Sequence, residues 1–319
     1  MSDDGTAPRR VVVTGGAGFV GSWTCERLLG QGAEVVCVDN FLTGSPATVT
    51  HLQDEDGFTL LAQDICAGLS VDGSVDWVLH LASPASPVHY LSHPIETMRV
   101  GSEGTLNALD LAGEKEARFV LASTSEVYGD PLEHPQQESY WGNVNPIGPR
   151  SVYDESKRYA EALTMAYRRQ GMADTAIVRI FNTYGPRMRL DDGRVIPAFM
   201  SQALAGAPLT VTGDGSQTRS LCYVEDTVDG ILALAASDHS GPMNIGGPEE
   251  ITMLELAERV RELAGSSSPI RHVDLPEDDP RVRRPDTTLA ETTLGWQPQV
   301  SLDEGLKRTL EWFAAQTTS

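Results

Sequence analysis

Residues 11–21 read Val-Val-Val-Thr-Gly-Gly-Ala-Gly-Phe-Val-Gly, an apolar run that breaks into a glycine cluster and resumes as a helix. A buried strand, a tight glycine turn and a helix in direct succession begin a parallel α/β sheet. Gly15, Gly18 and Gly21 stand where the chain must turn sharply, bring its backbone to a ligand, and pack helix on strand. The helix start at Phe19 and Val20 offers unpaired N–H groups and a positive dipole end to a pyrophosphate. Alone, such a triplet also fits an ordinary strand-to-helix turn. Its continuation favours a dinucleotide, because the next strand, Glu34–Asp39 (EVVCVD), ends in an acid. The Asp39 carboxylate suits adenosine ribose hydroxyls and repels a 2′-phosphate, so NAD is expected over NADP. Asp64 and Ile65 follow the third strand, where an adenine ring would lie. Asp64 reads equally as a helix cap.

Working outward, apolar strands at 58–63, 77–82, 119–123 and 176–181 alternate with helices at about 94–112 and 153–170. That rhythm predicts a Rossmann-type, doubly wound parallel sheet covered on both faces, occupying residues 1–185. Beyond Gly185 the elements shorten. Residues 186–223 and 247–319 are expected to form a smaller α/β substrate lobe, with 224–246 returning to the sheet. An acidic, proline-bearing loop is expected at 276–285.

A chain of 319 residues suits two closely joined units. The net charge of −21 argues against a nucleic-acid or anionic-membrane surface, which needs excess cations. No run approaches the roughly 18 apolar residues of a membrane helix, and residues 1–10 lack a signal-peptide core. Cys25, Cys37, Cys66 and Cys222 are scattered without a CxxC pair, which predicts reduced thiols and a cytoplasmic location. His89 and His93 have ligand-like spacing, but no third ligand converges and no metal is expected.

Tyr153 and Lys157 stand four apart at the start of a helix and share one face. A free tyrosine, with a pKa of about 10, is a poor base. A lysine ammonium ~5 Å away, at an effective dielectric of about 20, favours the phenolate by roughly 3 kcal/mol. Tyr153 would then take a hydroxyl proton while hydride leaves for NAD.

Longer runs carry a resemblance over nearly the whole chain: HLASPASP (80–87) with Tyr90, STSEVYGDP (123–131), YWGNVNPIGPRSVYDESKR (140–158) and RIFNTYGPRM (179–188). DDGRVIP (191–197), GDGSQTRS (213–220) and DDPRVRRPD (278–286) complete it. The chain resembles the extended short-chain dehydrogenases/reductases that act on nucleotide sugars, and among them the UDP-glucuronate decarboxylases most. Ser125-Glu126 separates the branches. The related 4,6-dehydratases carry Asp-Glu there, the 4-epimerases usually lack the glutamate, and the decarboxylases show Ser-Glu.

That resemblance implies oxidation of UDP-glucuronate at C4 by tightly bound NAD, loss of CO₂ from the β-keto acid, and hydride return to give UDP-xylose. It assigns Tyr153 as acid/base with Thr124 beside its oxygen and Lys157 behind it, and turns Ser125 and Glu126 toward the sugar. Asn182, Arg219 and Tyr223 are implied along the diphosphate, Val195 at the uracil, Arg187 at an anionic group and Arg283 at the reacting end. Ser83 and Tyr90 are expected at the substrate, and Asn40, Thr43, Gly44, Leu81, Ala82, Ser83 and Thr183 around the cofactor. Arg219 also follows a glycine turn, Gly213-Asp214-Gly215, and its guanidinium suits bidentate phosphate contact.

A homodimer through the 94–112 and 153–170 helices is expected, with Leu106, Leu109 and Leu163 uncovered on a monomer. One departure is Gly101 in MRVGSEGT, where relatives usually carry Asn. Two other readings remain: a UDP-sugar 4-epimerase or 4,6-dehydratase, and a non-catalytic NAD-sensing regulator.

Overall fold

The computed structural model describes residues 8–275 and 280–317. The start of the chain, residues 1–7, and positions 276–279 of the expected acidic loop lie outside the described residues. The first elements are β1 (Arg10–Thr14), α1 (Phe19–Gly30), β2 (Glu34–Asp39), β3 (Phe58–Ala62) and β4 (Trp77–His80). They are followed by α2 (Pro87–Ser92), α3 (Pro94–Arg99), α4 (Thr105–Lys115), β5 (Arg118–Thr124), α5 (Ser151–Arg169) and β6 (Asp174–Ile180).

Short elements alternate beyond that point: β7 (Thr183–Tyr184), α6 (Val195–Leu204), β8 (Leu209–Thr212), β9 (Thr218–Ser220) and β10 (Cys222–Tyr223). Next come α7 (Val224–Ala235), β11 (Pro242–Ile245), β12 (Glu250–Thr252) and α8 (Met253–Leu263). The chain ends with β13 (Ile270–Val273), α9 (Thr288–Leu294) and α10 (Leu302–Thr317).

Seven strands form one parallel sheet in the order β11-β6-β5-β4-β1-β2-β3. Alternation along β1 explains the two covered faces. Val11 and Val13 enter the layer holding Cys25, Leu28 and Ile231, whereas Val12 enters the layer of Ala108, Leu109 and Tyr167. Val13 pairs with Cys37 on one side and Leu79 on the other, so the glycine turn emerges from an interior strand of the sheet. Loops after the C-terminal strand ends therefore converge on one crevice, the usual ligand position in such sheets.

The helix expected at 94–112 is not continuous. α3 gives way to a π-helical turn at Val100–Gly104 before α4 begins. One extra residue per π turn rotates every later side chain around the axis, which a uniform 3.6-residue period does not anticipate. Leu109 is consequently fully buried in the core and not on an outer face; Leu106 stays exposed and Leu163 is half-buried. The turn sits where the helix presses on α5: a Cβ on Gly101 would lie 2.6 Å from Ser156 Cβ. No asparagine fits at that position without moving α5.

Candidate active site

A cavity of about 830 Å³ opens along the strand ends, and the glycine turn forms one wall. Gly15 has φ +70°, and a Cβ on it would lie 2.7 Å from Ala82 Cα. A Cβ on Gly21 would collide with the Gly15 carbonyl. Only glycine permits this crossing of β1, α1 and the β4 loop. Asp39 accepts from the Ala17 N–H at 3.1 Å and the Phe41 N–H at 2.8 Å. Burial raises its carboxyl, against those two donors. Asp64 caps a short 3₁₀ turn through the Cys66 N–H at 2.9 Å and still borders the cavity.

Every residue expected around the cofactor lines this one cavity. Backbone cradle, free helix start and buried acid together fit a dinucleotide held by its pyrophosphate and ribose.

Further along, β5 delivers Thr124 into the 3₁₀ turn Ser125–Tyr128, and α5 lies against it. The Thr124 hydroxyl hydrogen-bonds the Tyr153 phenol and accepts the Glu126 N–H at 3.2 Å. Tyr153 is buried and stacks on Tyr90, centroids 5.1 Å apart and planes 8° from parallel. Lys157 Nζ lies 5.9 Å from the Tyr153 ring centroid and donates to the Ala122 carbonyl at 2.8 Å.

Electrostatics here work against the phenolate that the Lys157 ammonium is expected to favour. Burial pushes Tyr153 above the usual phenol value, and the Glu126 and Asp154 carboxyls add to it against Thr124. Burial also lowers Lys157 to about 8, opposed by Glu161. Desolvation wins because both groups sit in low dielectric.

Glu126 is held differently. Arg283 engages it at both oxygens, with Nη2 to Oε2 at 2.7 Å, and Arg150 Nη2 reaches the same Oε2 at 2.7 Å. Burial would raise this carboxyl, but the two guanidiniums outweigh it and hold it at about 2. Asp154, 5% exposed, shows the opposite balance: burial and the nearby Glu126 raise it to about 7 despite Arg150 and Arg283. Its Oδ1 has no hydrogen-bond partner. Two carboxyls are thus driven apart in acidity around one arginine pair.

Ser83, Tyr90, Asn182, Val195, Arg219 and Arg283 all border the cavity. Arg219 Nη1 also donates to the Thr218 carbonyl at 2.8 Å. Two expected contacts are not brought there. Arg187 lies 4.3 Å from the Trp23 ring centroid and pairs with Glu26. Tyr223 packs edge-on against Tyr184, with the Arg308 guanidinium 5.7 Å from its centroid. Both side chains pack against α1, β7 or α10, neither lines the cavity, and Arg187 Nη1 is left buried without a hydrogen-bond partner among the described residues.

Sequence reasoning missed Arg150 and Arg194, which both line the cavity. Arg150 was findable, because it precedes Tyr153 by three residues and so shares its helical face. Arg194 had no local signal; it pairs with Asp192 and lies 5.9 Å from the Phe19 ring centroid. Among the described residues no three His, Cys, Asp or Glu side chains gather as a metal ion requires.

Residues 11–246 match the model of the NAD dependent epimerase/dehydratase family. The chain is 53% identical over 304 residues to UDP-glucuronic acid decarboxylase 1 of Arabidopsis thaliana, covering 95% of this chain and 69% of that protein. It is 49% identical to UDP-glucuronic acid decarboxylase 1 of Danio rerio, covering 97% of this chain and 73% of that one. The solved UDP-glucuronic acid 4-epimerase from Bacillus cereus, in complex with UDP-glucuronic acid and NAD, matches with a TM-score of 0.85 at 28% identity. That match covers 96% of this chain and 99% of the other.

Proposed function

The chain belongs to the NAD dependent epimerase/dehydratase family, and within it we infer an NAD-dependent decarboxylase that converts UDP-glucuronate to UDP-xylose. The observation that carries this is identity at about half of all positions, over nearly the whole chain, with UDP-glucuronic acid decarboxylases. Site chemistry supports it. A 4,6-dehydratase needs an acid for the departing hydroxyl, and Ser125 is too weak a donor at neutral pH. Glu126, clamped by Arg150 and Arg283, is a poor base because protonating it would forfeit two ion pairs.

Gly15, Gly18, Gly21 and Asp39 would hold NAD, with Lys157 and Thr183 toward its reactive end. When bound, NAD would supply a reversible hydride acceptor for C4 of the sugar and, in its oxidised form, a positive charge beside the phenol. Tyr153 takes the C4 hydroxyl proton, with the Thr124 hydroxyl on its phenolic oxygen and the Lys157 ammonium 5.9 Å from its ring centroid. The resulting β-keto acid loses CO₂ by passing electrons into the C4 ketone, where the Tyr153 hydroxyl supports the developing oxyanion. C5 then takes a proton and Tyr153 returns its own to the C4 oxygen, so each turnover consumes one. Arg283 and Glu126 orient the sugar end, and Arg219 and Asn182 hold the diphosphate.

No described helix is long and apolar enough to cross a membrane. The reading extends to a cytoplasmic location, supported by four unpaired cysteines. It also extends to a homodimer, supported by the exposed apolar side chains Ile95, Met98, Leu106 and Tyr159 on α3, α4 and α5. We divide the chain functionally into a cofactor unit, 1–185 with 224–246, and a nucleotide-sugar lobe of 186–223 and 247–319.

Incubating purified protein with UDP-glucuronate tests the reaction. CO₂ and a UDP-pentose are expected; a 4-epimer, a product retaining all six sugar carbons, or no turnover would overturn it.

A further inference from the structure

Behind the catalytic end of β5 lies a polar network that the mechanism above does not use. Glu161 stands one helical turn beyond Lys157 and two beyond Tyr153, on the same face of α5. Its Oε1 accepts from Ser123 Oγ at 2.6 Å and from Arg179 Nε at 2.9 Å, and its Oε2 from Arg179 Nη2 at 2.7 Å. Arg179, on β6, also donates to the Tyr128 hydroxyl at 2.9 Å and the Glu138 carbonyl at 3.0 Å. Tyr128 in turn donates to Asn244 Oδ1 at 2.8 Å, on β11.

The consequence lies in the order of contacts. Three consecutive residues of β5 are each gripped from α5: Ala122 by Lys157, Ser123 by Glu161 and Thr124 by Tyr153. The middle grip is the only one of the three whose helix residue does not border the cavity. It can therefore hold the outer two in register whether or not substrate is present. We propose that Glu161 is a positioning residue for the reaction, fixing α5 on β5 and supplying the negative charge that keeps the buried Lys157 cationic. The role rests on the decarboxylase reading.

Burial works against the Lys157 charge, and Glu161 is the carboxylate that opposes it. Other groups facing the pair do not replace it. His80 on β4 is neutral, held at about 3 by burial and by Lys157 itself. Without the cofactor's charge Tyr153 is protonated and carries no negative charge, and Arg179 is itself a cation, paired with Glu161. The Tyr128 hydroxyl and the Glu138 carbonyl meet Arg179, and the Glu138 carboxyl accepts from the Asn244 N–H at 2.9 Å.

The test compares kcat–pH profiles of wild type, Glu161→Gln and Tyr128→Phe. Wild type must turn over UDP-glucuronate, and its failure to do so would count against the decarboxylase reading alone. Glu161→Gln should retain NAD, keep KM within about twofold, lose kcat, and move the high-pH limb down by roughly one unit. Tyr128→Phe cuts the same network away from Lys157, so it should lower Tm and leave the limb in place. A wild-type limb in Glu161→Gln, or an equal shift in Tyr128→Phe, would reduce Glu161 to ordinary structure. Should Glu161→Gln not fold, Glu161→Asp keeps the charge but shortens its reach; reduced kcat with a smaller shift is expected, and wild-type kcat would overturn the proposal.

Discussion

Glu126 and Arg283, on opposite sides of the chain's midpoint, form a two-point ion pair in the cavity wall, with Arg283 Nη2 to Glu126 Oε2 at 2.7 Å. Arg150 completes the clamp from the start of α5. Three charges largely withdrawn from water and held this way are costly to form and more costly to break singly. They present a fixed charged surface to the cavity.

An asymmetry between two arginines follows. Arg283→Ala leaves Glu126 with Arg150, at the sugar end, so turnover of UDP-glucuronate should fall while UDP binding stays nearly unchanged. Arg219→Ala should weaken UDP and UDP-glucuronate alike, by about 1–3 kcal/mol for a lost charge-assisted bond. Isothermal titration with UDP beside steady-state kinetics decides it; equal loss of UDP affinity would put Arg283 on the diphosphate.

Tyr153→Phe keeps the ring that stacks on Tyr90 and removes only the oxygen. The loss should fall in kcat, by roughly 10²–10⁴-fold, with NAD and UDP binding intact. Near-normal turnover would mean another group is the base.

NAD should copurify with the protein, because it is reduced and reoxidised within each cycle. Chromatography of the heat-denatured supernatant checks this. Gly21→Ala, whose Cβ would collide with the Gly15 carbonyl, should lose the cofactor. Recovery of NADP instead would refute the assignment of Asp39.

Asp154 makes stability depend on pH. Its folded carboxyl is raised to about 7, whereas an unfolded aspartate ionises at about 4. The folded state therefore holds this proton more tightly, and the stability it lends is complete below about pH 4 and lost as pH rises through about 7. An asparagine at this position cannot ionise, so Asp154→Asn should exceed wild type by on the order of 1–3 kcal/mol at about pH 8 and match it at about pH 4. Calorimetry at both values tests the sign. A variant less stable at the higher pH would show an ionised, paired Asp154.

Association is testable through Met98, exposed on α3. Light scattering should give a dimer mass at micromolar concentration, and Met98→Asp should shift it toward monomer. A wild-type monomer mass would remove the homodimer.

By itself the sequence determined what short-range sterics and periodicity control. The run from Val11 to Gly21 could only be strand, tight turn and helix, and the four-residue spacing of Tyr153 and Lys157 placed both on one helical face. Asp39 followed from its position at the end of β2. Tertiary packing decided the rest. The π turn at Val100–Gly104 moved Leu109 inward, and contacts with Trp23 and Tyr184 turned Arg187 and Tyr223 from the cavity. Packing also set the protons. Burial raises Tyr153 and Asp154 and lowers Lys157, while Arg283 and Arg150 hold Glu126 down against it, and no residue's neighbours in sequence reveal how much water it will lose. An ion pair such as that of Glu126 and Arg283 depends on where two distant segments come to rest, and spacing along the chain carries no record of that.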